Sequence, residues 1–421
     1  MNACPDFFQS RRRFLKQFSG VAALLGMPVQ RLLAEIGSTH APKAESIILF
    51  WMGGGMSHLD TWDPKPGRPV GGDLAPIKTS VDGIQISEVF PQLARQMHHC
   101  ALVRSIAGTN GDHGRATYEL QTSYPQNPAI VHPGMGSIIV NQSKPMSDLP
   151  SYISIGGMAP RAGYLGQRCE AYYVGQPGER DPYLTFPEGI SQVRGEKRLD
   201  ILAKMNSRHQ QSVGAPALHE ASVALDDAVT LMHSPALAAF DLDKEDPKTI
   251  ERYGPTEFGR AALLARKLVE KGVRFVQVNR GGFDMHAGIF QAMRNQGNVM
   301  DPALASLIGD LAASGQLDKT LVLVLSEFGR TPNINMGGGR DHHARCFSCL
   351  FAGGGVKGGQ VIGSSDADGM EPRDRPVAVP DLHASLCHAL GVDYTKEMTT
   401  PLGRPMKLVK EGASPVAELF G

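Results

Sequence analysis

The chain has no excess charge of either sign: Lys and Arg together number 42, and so do Asp and Glu. Without a basic surplus there is no electrostatic case for nucleic acid or for an anionic membrane surface, since both attract proteins through phosphate charge. Aromatic residues are few, 6% of the chain with only two tryptophans, which argues against an aromatic-lined sugar cleft. Long apolar runs are lacking too. The stretch from Phe18 to Val29 is ended by Arg31, and it falls short of the ~20 residues that hold a helix in a bilayer. Cysteines are sparse and odd in number. Of six, Cys4 lies in the N-terminal leader, which leaves Cys100, Cys169, Cys346, Cys349 and Cys387. A full set of internal disulfides is therefore excluded. Cys346 and Cys349 have CxxC spacing, but the segment Cys-Phe-Ser-Cys-Leu-Phe reads as a buried strand. Residues three apart on a strand point to opposite faces, so these two read as small core residues rather than as a zinc or redox pair.

What is present suits a loop-rich α/β protein. Glycine (48) and proline (29) are abundant for a helical bundle, and 421 residues can bury a large core as one domain or two. The N-terminus carries Ser10-Arg11-Arg12-Arg13-Phe14-Leu15-Lys16 ahead of the apolar stretch. This matches a twin-arginine export signal, and a basic amphipathic helix is the alternative. The twin-arginine export machinery carries folded proteins, which suits a protein that takes up a metal before export. Residues 1–44 are accordingly read as signal peptide and linker, with the mature chain starting between about Ala34 and Ala44 and lacking a transmembrane anchor. Residues 45–421 form the main domain.

The main domain is organised around Leu321 to His343. Leu321 to Leu325 reads as a buried strand. Ser326, Glu327, Arg330 and Thr331 follow, then a glycine-rich loop, then Arg340, Asp341, His342 and His343. Similar units lie upstream. Ser46 to Trp51 is a strand candidate that runs into three glycines and then Ser57, His58 and Asp60. A short hairpin is expected near Asp82-Gly83, and a helix over Glu88 to His98. Cys100 to Ile106 is a second strand, followed by a glycine-bearing loop with Thr109, Asp112, His113 and Arg115, and a helix from about Ala116 to Thr122. A helix start after such a loop can hold an anion, although Asp112 could equally cap the helix and Arg115 could form a surface ion pair. Short strands are expected at Ser151 to Ile155 and Ala171 to Val174. Arg198 to Val213 and Pro216 to His233 read as amphipathic helices of an inserted helical segment, about 190–255, with His209, His219 and His233 on its surface or between helices. The core resumes with a helix over Thr256 to Lys271 and a strand over Val273 to Val278 that delivers Asp284 and His286. A helix over Asp301 to Ser314, a strand from Cys346, a short strand at Val361-Ile362 and a closing helix over Pro380 to Leu390 complete it.

Four strand ends thus each carry an acid or an imidazole: His58 with Asp60, Asp112 with His113, Asp284 with His286, and Glu327 with Asp341 and His342. Several ligands can be fixed around one ion only if separate loops converge in space, and strand ends of an α/β sheet provide that convergence.

The twin-arginine segment together with GGGMSHLDTWDPKP, NGDHGRATYELQTS, GGFDMHAG, SEFGRTP and GRDHH resembles the bacterial family known as domain of unknown function 1501, over essentially the whole mature chain. That family in turn resembles the alkaline-phosphatase-like superfamily, which includes sulfatases and phosphomutases. The segment PVAVPDLHASLCHALGVD is similar to the closing segment of sulfatases. The resemblance implies an α/β fold with a mixed, mostly parallel sheet sandwiched between helices. It also implies one or two divalent metals (zinc, manganese or calcium) and a nucleophile at a helix N-terminus. Carried over by position, Asp284 and His286 resemble a metal pair, Glu327 stands where the superfamily often has Asp-His, and His342 resembles the late metal-binding histidine. The first strand lacks the usual immediate Asp, so His58 or Asp60 takes that place, and Asp341 completes the candidate ligands. Gly111 stands at the position of the sulfatase cysteine that becomes formylglycine, which excludes an ordinary formylglycine sulfatase. Ser57, Thr109 or a metal-activated water remain as nucleophiles beside His113, with Arg115, Arg330 or Arg340 to hold the oxyanion. Two functions follow as expectations. One is a periplasmic or secreted metal-dependent hydrolase of an anionic phosphate or sulfate ester, such as a sulfated or phosphorylated glycan. The other is a non-catalytic metal- or glycan-binding envelope protein on the same fold. Convergence of His58, Asp284, His286, Glu327 and His342 would favour the first.

Overall fold

The computed structural model describes residues 43–179, 184–213 and 216–421, side chains between 210 and 224 excepted. The expected export signal, and the side chain of His219, lie outside what the structure describes. Nine short apolar segments form the central sheet: β1 (Ser46–Met52), β2 (Cys100–Ala107), β3 (Tyr152–Ile155), β4 (Tyr172–Val174), β5 (Phe275–Arg280), β6 (Thr320–Leu325), β7 (Phe347–Ala352), β8 (Gln360–Ile362) and β9 (Val377–Ala378). Their order is β8-β2-β7-β6-β1-β5-β3-β4, with β9 also paired to β2. The pairings β6-β1-β5-β3-β4 are parallel, as are those of β8 and β9 with β2. β7 runs against both of its neighbours, β2 and β6. The sheet is mixed and mostly parallel, as expected.

Its strands are buried on both faces, which explains their unbroken apolar runs. Along β1, Ile48, Phe50 and Met52 belong to one apolar cluster, and Ile47, Leu49 and Trp51 to the other. The first face is covered by α5 (Glu257–Glu270) and α6 (Ile289–Ala313) through Phe258, Ala262, Leu304 and Ile308. The second is covered by α1 (His113–Thr122), α2 (Met135–Gln142) and α7 (Val379–Ala389) through Leu120, Ile138, Leu382 and Leu386. Each such side chain, taken fully out of water, contributes ~1.5–3 kcal/mol. α3 (Gln192–Val213) and α4 (Pro216–His233) form the helical pair expected from the sequence. No described helix is long and apolar enough to cross a membrane.

Two helices depart from expectation. The expected helix from Glu88 shrinks to one turn, Pro91–Ala94, followed by the 3-10 turn Met97–His99. Pro91 disfavours helical geometry at the residue before it, so the helix cannot begin earlier. The expected helix start at Asp301 is instead the middle of α6, which passes through Pro302. The Asp301 carboxylate accepts from the backbone N–H groups of Gln92 (2.9 and 3.1 Å) and Leu93 (2.8 Å), so it caps the neighbouring turn rather than its own helix. All five described cysteines are free and buried. Burial pushes the Cys100, Cys346 and Cys387 thiols up to about 12, so they are packing residues and not redox or metal groups.

Two wholly enclosed histidines make the fold acid-sensitive. His58 Nε2 donates to the Gly369 carbonyl (2.9 Å), and His383 Nε2 donates to that of Leu120 (2.8 Å). Burial lowers each ring's pKa to about 4. The unfolded chain takes up these two protons near pH 6.5 and the native chain only near 4, so their stabilising effect is complete above pH 6.5 and is lost as pH falls toward 4. Each contributes up to about 3 kcal/mol. Urea midpoints should fall over that window, and less steeply in His383→Gln; a midpoint constant from pH 6.5 to 4 would refute this.

Candidate metal centre

The carboxyl ends of β1, β2, β5 and β6 open on one edge of the sheet. Because β7 is reversed, its amino end opens there too, and this brings residues 340–346 to the loops that follow the parallel strands. Two glycines permit the close approach of these loops. Gly54, at φ 114, has no Cβ where one would lie 2.6 Å from the Asp284 nitrogen, so the Asp284 loop can cross the end of β1. A Cβ on Gly339 would lie 2.1 Å from the backbone of His286; the loop before Arg340 therefore rests directly on that residue. The Arg340 N–H donates to Met285 O (3.1 Å), and Asn335 Nδ2 donates to His286 O (3.0 Å). His342 and His343 pair antiparallel with Arg330 and Gly329. His113 opens α1, whose first turn is capped by Asp112 accepting from the Arg115 N–H (3.0 Å).

These loops converge on one carboxylate oxygen. Around Asp284 Oδ1 lie Arg330 Nη2 (2.6 Å), His286 Nε2 (3.0 Å), His342 Nε2 (3.1 Å) and His113 Nε2 (3.3 Å). His286 Nε2 is also 3.1 Å from His342 Nε2. The far nitrogen of each ring is committed elsewhere. His113 Nδ1 meets Glu327 Oε1 (2.7 Å), His286 Nδ1 meets Asp341 Oδ1 (2.9 Å), and His342 Nδ1 meets Gly111 O (2.7 Å). A carbonyl and an ionised carboxylate can only accept, so each ring carries its proton on Nδ1 and turns the Nε2 lone pair inward. Three lone pairs and a carboxylate oxygen at this spacing repel one another unless a cation or a further proton lies among them. Histidine ligands of metals are oriented in this way, by an oxygen partner on the other ring nitrogen. The ligand atoms of His113, Asp284 and His342 all lie within 4.8 Å of one another, a grouping that one ion could span. His286 Nε2 stands outside that set but lies against two of its members, Asp284 Oδ1 and His342 Nε2.

A family model described as "Protein of unknown function (DUF1501)" matches residues 44–420. The chain belongs to that family. Among solved structures, it is similar to a 2-O GAG sulfatase (11% identity, 90% of this chain and 74% of that one, TM-score 0.39). It is also similar to a phosphonate monoester hydrolase of Agrobacterium radiobacter (13%, 89% and 77%, TM-score 0.36) and to a protein in the alkaline phosphatase superfamily from Vibrio parahaemolyticus (12%, 85% and 68%, TM-score 0.36). No curated protein matches. These likenesses are too slight to bear on chemistry, which rests on the residues themselves.

Of the sequence candidates in this DUF1501 chain, His113, Asp284, His286 and His342 come together. Burial opposes the charge on Asp284, but the Arg330 guanidinium hydrogen-bonded to it favours the ionised form, and the carboxyl is held well below the usual carboxylate range. Glu327 and Asp341, expected as ligands, stand one step back as the partners of His113 and His286. Glu327 also accepts from Gly54 N–H (2.8 Å), and the Ser326 hydroxyl, which donates to Met52 O (2.6 Å), lies 3.1 Å from it. The expected ligands His58 and Asp60 lie elsewhere. His58 is enclosed beneath the Gly369 carbonyl and stacks on His343. Asp60 is paired with Arg340 (Nε 2.8 Å, Nη2 3.3 Å), both fully buried, and accepts from Ser57 Oγ (2.5 Å). Ser57 is therefore a buried donor to Asp60 and not an exposed nucleophile. The guanidinium groups expected to hold substrate are also engaged within the protein. Arg340 further donates to the carbonyls of Thr331, Pro332 and Val70, and Arg330 to those of Gly54, Gly55 and Arg340. Thr109 and Arg115 are exposed, and none of the described hydrogen bonds joins their side chains to the centre. Sequence reasoning missed the Gly111 carbonyl and Asn335. A backbone acceptor leaves no trace in residue type, whereas Asn335 in a glycine-rich loop before Arg-Asp-His was a usable signal.

The Asp60–Arg340 pair holds the loop ahead of Asp341 and His342. Removing one partner of a fully buried pair costs ~3–5 kcal/mol, and replacing both with apolar residues costs much less. Arg340→Met should lower urea stability by about that amount, and Asp60→Leu with Arg340→Met by less. Equal stability of Arg340→Met and the unaltered protein would show that the pair contributes nothing.

Proposed function

We propose that this DUF1501 protein is an exported, metal-dependent hydrolase of phosphate or sulfate esters on an alkaline-phosphatase-like fold. The observation that carries the reading is the inward turn of three imidazole Nε2 atoms onto Asp284 Oδ1, each ring fixed by an acceptor at Nδ1. His113, Asp284, His286 and His342 would hold the ion. Three nitrogens and one oxygen suit zinc or manganese, and are a poor match to calcium, which takes six to eight oxygen ligands. A divalent ion there would draw charge from the ester oxygens and favour ionisation of water. Glu327, Asp341 and the Gly111 carbonyl keep the rings in one tautomer. Arg330 keeps Asp284 ionised and in place. The amino end of α1, with Arg115 exposed beside it, turns its positive dipole end to an arriving anion.

Export by the twin-arginine route, to the periplasm or beyond, is supported by Ser10 to Lys16. On this reading residues 1–44 are signal and linker, and 45–421 are the catalytic domain with an inserted helical segment at about 190–255. One observation favours the second reading, a non-catalytic metal- or glycan-binding envelope protein: among the described residues no hydroxyl or thiol is hydrogen-bonded into the centre, and Gly111 offers none.

Elemental analysis of the exported protein should find zinc or manganese in stoichiometric amount, lost in His342→Ala and in Asp284→Ala. Glu327→Gln should weaken metal affinity about 10–100-fold. No metal after reconstitution would sink both the hydrolase and the metal-binding readings. Bound metal without turnover of any phosphate or sulfate ester would favour the binding protein.

A further inference from the structure

Two carboxylates stand behind the inward-turned rings, in different surroundings. The Glu327 side chain is 2% exposed, and a backbone N–H, that of Gly54, holds it in place (2.8 Å). The Asp341 side chain is 58% exposed. An exposed carboxylate trades its partners for water and must give up side-chain freedom to keep one geometry. It orients an imidazole poorly unless a second group holds it. The Asp341 backbone is already fixed, since its N–H donates to Thr331 Oγ1 (3.0 Å) and its carbonyl accepts from the Thr331 N–H (2.9 Å). Its carboxylate Oδ1 meets two side chains among the described hydrogen bonds, His286 Nδ1 (2.9 Å) and Asn335 Nδ2 (3.2 Å).

The Asn335 amide is fully committed. Its Oδ1 accepts from the N–H groups of Gly337 and Gly339 (3.0 Å each). Its Nδ2 donates to the His286 carbonyl (3.0 Å) as well as to Asp341. An amide has two acceptor positions on oxygen and two N–H groups on nitrogen, and all four are used. The network also leaves one orientation. Turned over, the NH2 would face two N–H groups, and the oxygen would face a carbonyl and a carboxylate. The loop that carries Asn335 is tied to the His286 segment as well. The carbonyls of Gly337 and Gly338 accept from the N–H groups of Gly288 and Ile289 (3.0 Å each), and the Asn335 N–H donates to Gly339 O (2.9 Å). One amide thus holds His286 by its main chain and Asp341 by its carboxylate, at the spacing that their own hydrogen bond needs.

We propose that Asn335 is a positioning residue of the metal centre: it holds Asp341 Oδ1 against His286 Nδ1, and so keeps the ring proton on Nδ1 and the Nε2 lone pair turned to the ion. The binding of an ion rests on the metal-dependent reading of the site, whereas the placement of the ring proton stands apart from it. Two substitutions separate this hold from the turn of the loop. Asn335→Ala removes both. Asn335→Asp keeps an oxygen for the Gly337 and Gly339 N–H groups, but it loses the Nδ2 donors and sets a second carboxylate against Asp341. The loop then keeps its turn while Asp341 is released, so this variant remains informative if Asn335→Ala does not fold.

Long-range proton–nitrogen NMR on the metal-free full chain, at about pH 9 and above the usual imidazole range, reads the His286 tautomer directly. The unaltered protein should show the Nδ1–H form, and both variants a mixture with Nε2–H. Zinc affinity, measured by chelator competition, should fall about tenfold in Asn335→Ala, the lower end of what groups behind a metal-bound histidine contribute. Because Asn335 acts through Asp341, Asn335→Ala combined with Asp341→Ala should bind zinc within about twofold of Asp341→Ala alone. Three results would overturn the proposal and leave the metal-binding reading standing: a mixed tautomer in the unaltered protein, a tautomer unchanged in both variants, or a zinc loss that adds in full to that of Asp341→Ala. No zinc bound by the unaltered protein, with the tautomer lost in both variants, would sink the metal-binding reading and support the hold of Asn335 on the ring.

Discussion

One oxygen atom, Asp284 Oδ1, sets the terms for the loops around it. It collects a guanidinium N–H and faces three imidazole nitrogens, drawn from three separate stretches of chain. An ionised oxygen can accept several donors, but these rings have already given their protons to Glu327, Asp341 and Gly111. What remains at the centre is electron-rich on nearly every side. Such an arrangement holds only if the surrounding protein fixes it. The fixing elements are Arg330 threaded beneath the Gly54 and Gly55 carbonyls, and the buried Asp60–Arg340 pair that anchors the loop from Thr331 to Asp341.

The sheet makes the convergence possible by one reversal. In a fully parallel sheet, the loop after β6 would be followed by a crossover to the opposite edge before the next strand began. Here β7 runs backward between β6 and β2, so both ends of the segment from Ser326 to Cys346 stay on the edge where ligands gather. Glu327 enters from one end of that segment and His342 from the other. His113 reaches them because β2 flanks β7 on its far side. Strand order therefore explains why residues more than two hundred positions apart, His113 with Glu327 and Gly111 with His342, hydrogen-bond across the site.

Much of this was legible in the sequence, for identifiable reasons. Strands buried on both faces write themselves as apolar runs, and the expected β1, β2, β6 and β7 fall within a residue or two of the observed ones. Polar residues soon after such runs sit near strand ends, and that brings forward His113, Asp284, His286 and Glu327, together with His58 and Asp60, while His342 stands ahead of the next run. The role of each residue was not legible, because role depends on which atom meets which. His58 and Asp60 carry the same chemistry in the same kind of loop, yet one is roofed by Gly369 and the other is neutralised by Arg340. Asp301 followed by Pro302 reads as a helix start, yet its carboxylate caps a turn more than two hundred residues earlier. The reversed direction of β7 was illegible for a related reason: strand direction is set by partners, not by the strand's own residues.

Formal charge gives the last step. Asp284, Glu327 and Asp341 bring three negative charges to the centre, and Arg330, buried among them, brings one positive charge. The Asp60–Arg340 pair is neutral in itself. Counted with neutral rings, the assembly is left two negative charges in excess, concentrated where the Nε2 atoms meet. Protonating a ring at Nε2 would offset part of this through a hydrogen bond to Asp284, although His286 Nε2 and His342 Nε2, 3.1 Å apart, cannot both carry a proton between them. A single divalent cation would balance that charge and meet the inward lone pairs at once.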